Sequence, residues 1–136
     1  MKRFISIFLL ISMMFMFVAP VSATETTLYY EGVNSGVAML SFSKLGIATC
    51  TASFTLRSTL VEADIEMQLL KFETSGWEEV KTWNEHIGPS NEPIIGLSKL
   101  YAVSENGIYK VQVVADIETE AGNDHLEPYS NSIEYP

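Results

Sequence analysis

The sequence predicts an all-β protein: one antiparallel sandwich of seven or eight short strands. Three observations predict it. Several segments alternate apolar and polar residues with a period of two, the mark of a half-buried strand. Clusters of Gly, Pro, Asn, Asp and Ser separate these segments at intervals of about 8 to 12 residues, the spacing of sandwiches and barrels. No long stretch carries a convincing amphipathic helix; Trp77, Val80, Asn84 and Ile87 have helical spacing, but Gly76 and Gly88 bracket them.

An export signal precedes the strands. Lys2 and Arg3 are followed by an apolar run from Phe4 to Val18, broken only by Ser6 and Ser12, and then by Ala19-Pro20-Val21-Ser22-Ala23. A positive start, an apolar centre and a small-residue end are the parts of a secretory signal peptide. The run is shorter than the ~20 residues that cross a bilayer as a helix. Cleavage is expected after Ala23, so that residues 1–23 are the signal and residues 24–136 one secreted, soluble domain. The residue directly after the cleavage point is Thr24, not a cysteine that could carry a lipid.

Cleavage removes Lys2 and Arg3, leaving 6 of the 8 basic residues against all 17 acids, a net charge of −11 in place of −9. So acidic a surface repels phosphate backbones and anionic membranes, which argues against nucleic acid and membrane partners. It is compatible with cationic partners or metal ions. The single cysteine, Cys50, allows no internal disulfide. Stability therefore has to come from burial, for which the length suffices.

Thr26 to Glu31 and Val37 to Lys44 are weak strands, the second preceded by Gly32, Asn34 and Gly36. From Ala48 to Arg57 the alternation is unbroken. Ala48, Cys50, Ala52, Phe54 and Leu56 share one face; four hydroxyl residues and Arg57 share the other. Ala63, Ile65, Met67 and Leu69 alternate with Asp64, Glu66 and Gln68. Leu70 and Phe72 then continue on the opposite parity, a slip that predicts a bulge or a region covered on both faces. Thr74-Ser75-Gly76 ends that run. Trp77 to Asn84 and Ile94 to Val103 are weaker strands, separated by the loop Gly88 to Pro93. From Gly107 to Glu118, Tyr109, Val111, Val113, Ala115 and Ile117 share one face. Gly122-Asn123-Asp124 is expected to be a turn, and Tyr129, Ile133 and Tyr135 a last strand.

Ser104-Glu105-Asn106-Gly107-Ile108-Tyr109-Lys110-Val111 resembles the turn and late strand of immunoglobulin-like domains. The resemblance implies that the Tyr109 hydroxyl ties down the corner. Val111 would then stand where antibody domains carry their second cysteine, facing Cys50, Ala52 or Phe54; with one cysteine the disulfide is absent. The layout is also similar to small secreted β-sandwich proteins of Gram-positive bacteria. The segments that carry this likeness are Trp77-Glu78-Glu79-Val80-Lys81-Thr82-Trp83, Leu97-Ser98-Lys99 and Gly107-Ile108-Tyr109-Lys110-Val111. It implies a fold and an extracellular address, not an activity.

Few residues offer chemistry. Cys50 shares a face with Ala48 and Phe54, where a buried thiol is inert. His86 and His125 fall in expected loops, without a further His or Cys at zinc spacing. No G-x-S-x-G, H-E-x-x-H or P-loop pattern occurs. Catalysis is therefore not expected, nor is a cofactor, with calcium as the one candidate ion. Asp116, Glu118, Glu120, Asp124 and Glu127 surround one hairpin and no Lys or Arg follows Lys110. Such carboxylates either hold Ca²⁺ or form a solvated face that guards an edge strand. Trp77 and Trp83 fall by alternation on one face with Glu79 and Lys81. One of them, together with Phe72, is a candidate platform for a sugar ring or a partner's apolar patch. The expected function is a secreted binding module for an extracellular protein or glycan. The alternative is a structural component that self-associates through an edge strand.

Overall fold

Eight strands form among residues 30–136, the residues that the computed structural model describes. The expected export segment and most of the weak first strand lie outside them. In chain order the strands are β1 (Val33–Phe42), β2 (Ile47–Leu56), β3 (Leu60–Glu73), β4 (Gly76–Ile87), β5 (Ile94–Ala102), β6 (Gly107–Thr119), β7 (Gly122–Leu126) and β8 (Ile133–Tyr135). All pairings are antiparallel. One sheet has the order β1-β2-β5. The other has the order β4-β3-β6-β7, with β8 beside the opposite end of β6.

Alternation explains the two layers. Ala48, Cys50, Ala52, Phe54 and Leu56 of β2 are buried, and so are the inward residues of β3 and β6 from Ala63 to Leu69 and from Tyr109 to Ile117. Each sheet can remove its apolar face from water only against the other, which stabilises by roughly 1.5–3 kcal/mol for each large side chain fully buried. β1 packs on β6 and β8, and β2 on β3 and β6. At one open side, Trp83 meets Tyr101 edge-on with ring centroids 6.4 Å apart, and Lys99 pairs with Glu85 at 3.6 Å. At the other, Phe42 lies against Tyr109 and stacks on Tyr135.

The topology is immunoglobulin-like, with one switch. In the constant-type domain the fourth strand joins the sheet of the first, second and fifth. Here β4 pairs with β3. The expected tyrosine corner is present: the Tyr109 hydroxyl donates to the Glu105 carbonyl at 2.7 Å. Lys71 reinforces it, its ammonium reaching Glu105 at 2.6 Å and Glu73 at 3.1 Å.

Several local expectations need correction. Asn34 and Gly36 lie inside β1, which begins at Val33. Gly36 serves close packing there, because a Cβ would stand 2.7 Å from the Phe54 ring. Gly122-Asn123-Asp124 is strand, and the turn is Glu120-Ala121, with Gly122 at a φ of 144°. Tyr129 makes an isolated bridge to Gln112, apart from β8. The slip near Leu70 does mark a bulge, but β4 carries it. Leu69 pairs with Lys81 and Leu70 with Glu79, so Val80 has no partner of its own in β3. Along β6 the pairing of β3 runs evenly through Leu69, Leu70 and Lys71.

Candidate functional site

The outward face of the five-stranded sheet carries the residues with chemistry, gathered at its two ends. The extra residue at Val80 decides the first end. It reverses the parity of β4, so Trp77 and Trp83 fall on opposite faces. Strict alternation had placed them together; that expectation fails because six residues with one bulge amount to five along the ladder. Trp83 lies opposite Met67 and packs on the core. Trp77 lies opposite Phe72 on the outer face, with ring centroids 5.3 Å apart.

Two residues missed in the sequence complete this end. The Lys110 ammonium lies 4.5 Å from the Trp77 ring centroid and 5.4 Å from that of Tyr129. A cation over two aromatic faces holds the group together by quadrupole attraction. Phe72 is 49% and Tyr129 60% exposed, so apolar ring surface faces water here. Parity along β6 puts Lys110 on the outer face, but only the fold shows that Tyr129 turns back beside it.

The other end is a row of four side chains on four neighbouring strands. His86 of β4 lies opposite Asp64 of β3, Asp64 opposite Asp116 of β6, and Asp116 opposite His125 of β7. In the next row Glu62 lies opposite Glu118. Like charges directly opposite one another are unfavourable, and the histidines offset them. His86 Nδ1 is 2.7 Å from Asp64. His125 Nδ1 is 2.6 Å from Asp116 and its Nε2 2.7 Å from Glu127. Asp116 and then Glu127 raise the pKa of His125, and Asp64 raises that of His86, because hydrogen-bonded carboxylates favour the imidazolium. Both histidines are in strands, not in the expected loops. Alternation in residue type fades after Asn84, and Gly122-Asn123 has the composition of a turn, so neither histidine shows as a strand residue in the sequence.

The proposed calcium set does not converge. Asp116 and Glu127 meet at His125, which occupies both. Glu118 is exposed beside them on β6, and Glu120 is in the turn. Asp124 has the opposite parity. It is buried and accepts the backbone N–H groups of Glu31 and Gly32 at 2.7 and 2.8 Å, tying the start of β1 to β7. Among the described residues no group of three or more His, Cys, Asp or Glu is disposed to hold a metal ion. Cys50 is buried as expected, and burial pushes its pKa up to about 11, which keeps the thiol protonated.

No family model and no curated protein matches the sequence. Among solved structures, the chain is similar to the CARDB domain of the PF1109 protein from Pyrococcus furiosus, determined in complex with di-metal ions. Identity is 10%, with 78% of this chain and 95% of that chain covered and a TM-score of 0.41. It is also similar to OgpA from Akkermansia muciniphila, at 12% identity over 85% of this chain and 34% of that one, with a TM-score of 0.39.

Proposed function

We propose that this protein is a secreted, non-enzymatic binding module that holds an extracellular glycan on the outer face of its five-stranded sheet. The observation that carries the reading is the outward aromatic group around Lys110, formed by exposed Phe72 and Tyr129 and half-buried Trp77. Aromatic faces take the apolar face of a sugar ring, and an ammonium among them meets a hydroxyl or carboxylate of the same unit. A flat face suits a chain of sugars better than a small molecule, which needs a concave site. The export signal at residues 1–23 supports the extracellular setting.

The non-enzymatic reading rests on how the acids and bases are disposed. His86 and His125 stand at opposite ends of a four-strand row, roughly 14 Å apart at ordinary strand spacing, and each is engaged by carboxylates. The single thiol is buried.

Binding to isolated cell-wall and capsular polysaccharides tests the proposal, with a protein partner as the competing outcome. Trp77→Ala and Phe72→Ala are each expected to weaken glycan binding about tenfold, which is about 1.4 kcal/mol, the scale of one stacked ring. Glycan binding that survives both substitutions unchanged would exclude this face.

A further inference from the structure

The 17 acids of this chain are unevenly placed, and none lies in β1, β2 or β5. In the three-stranded sheet the single charged strand residue is Lys99, which points inward to Glu85. Its outer face is formed by Val37 and Met39 of β1, by the hydroxyl residues of β2, and by Ser98 and Leu100 of β5, paired across in register.

The described sandwich has four sheet edges. Sheet edges present unpaired N–H and C=O groups, and proteins protect them with charge, proline or inward-pointing charged residues. β4 carries Glu78, Glu79, Lys81 and Glu85. The β7–β8 side carries Asp124, Glu127 and Pro128, and β5 has the inward Lys99. Among the edge strands, β1 alone has neither a charge nor a proline in its ten residues. Among the described residues, no side chain and no loop backbone hydrogen-bonds its stretch from Ser35 to Ser41. Val37 is 46% and Met39 58% exposed beside this edge.

We infer that β1 is a dimerisation edge, which pairs antiparallel with β1 of a second copy about a twofold axis through Ala38. A second copy is the occupant because the strand complements itself. An antiparallel pair keeps outward residues opposite outward ones only in registers of even offset. Centring on Ala38 sets Val37 opposite Met39 twice and Ser35 opposite Ser41 twice, apolar against apolar and hydroxyl against hydroxyl. Centring on Val37 or Met39 sets a serine against an apolar residue. The result is a continuous six-stranded sheet with an uncharged outer face. The contact is isologous, so it closes at two copies. Electrostatics favours the same place: molecules of net charge −9 repel one another over most of their surface, least where no acid faces the partner. Edge pairing is smaller than the ~800 Å² per partner of a standard interface, so association should be reversible at about micromolar concentration. This inference does not rest on the glycan site, which lies on the other sheet.

Sedimentation of the purified protein, in the form the producing cell accumulates, tests it. The expected result is a concentration-dependent monomer–dimer equilibrium that strengthens in 0.5 M salt, where repulsion is screened. Val37→Glu or Met39→Glu alone should weaken the dimer at least tenfold. Combining Val37→Lys with Met39→Glu should restore it, since each lysine then faces a glutamate of the partner. Leu100→Glu, on the far strand of the same face, should leave it unchanged; loss there would mean face-to-face stacking and overturn the edge assignment. A strict monomer at several hundred micromolar in 0.5 M salt, or a dimer insensitive to both glutamate variants, would overturn the inference.

Discussion

His125 engages Asp116 and Glu127 through its two ring nitrogens, an arrangement suited to an imidazolium donating both N–H groups. Its pKa in the folded protein lies above the ordinary value of 6.5. The stability this contributes is complete below the unfolded-state pKa and is lost as pH rises through the folded-state pKa. His125→Gln should therefore lower the melting temperature more at pH 5.5 than at pH 9; an equal loss at both would show that the ion pairs contribute nothing. This end of the sheet was poorly legible in the sequence, because the pairs Asp64–His86 and Asp116–His125 each join residues on different strands. Cys50 and Tyr109 were legible, since the parity of one strand settles burial and a local motif settles the corner bond.

Among the elements, β4 shows what a single residue decides. The periods of β2, β3 and β6 were legible in residue type, but the facing of Trp77 and Trp83 in β4 was not. Val80 is accommodated as an extra residue because β3 pairs evenly with β6 on its other side and has no slack there. Deleting Val80 should then keep Phe72 opposite Trp77 and Met67 opposite Trp83. The expected cost is about 1–2 kcal/mol in urea unfolding, from losing one half-buried valine, with both tryptophan environments unchanged. Deleting Gln68 from β3 should abolish folding, because a one-residue slip there turns every later side chain to the wrong face on two ladders. Equal tolerance of the two deletions would contradict the bulge assignment.

The molecule as a whole is held without a covalent staple. Its one thiol lies on the inner face of β2, surrounded by the core of both sheets. The melting temperature should be the same with and without reductant, and a thiol reagent at neutral pH should label Cys50 only as fast as the domain unfolds. Labelling of the native protein within seconds would mean that the two sheets part locally around β2. The division of charge also appears only at this scale. Among the described residues the acids belong to one sheet and to the loops, and none lies in the sheet whose edge is inferred to meet a second copy.

The sequence alone determined the all-β class, the approximate positions of β2 to β6, the inward residues of β2, β3 and β6 and the corner at Tyr109. These depend on period and on neighbours within a few residues. The tertiary structure decided which strands are neighbours, and with that the row from His86 to His125, the grouping of Phe72, Trp77, Lys110 and Tyr129, and the exposed edge of β1. The physical reason is that strand pairing joins residues far apart in the chain, while alternation along one strand fixes only which of two faces a side chain takes. Where one residue is added without a partner, as at Val80, even that choice passes from the sequence to the register.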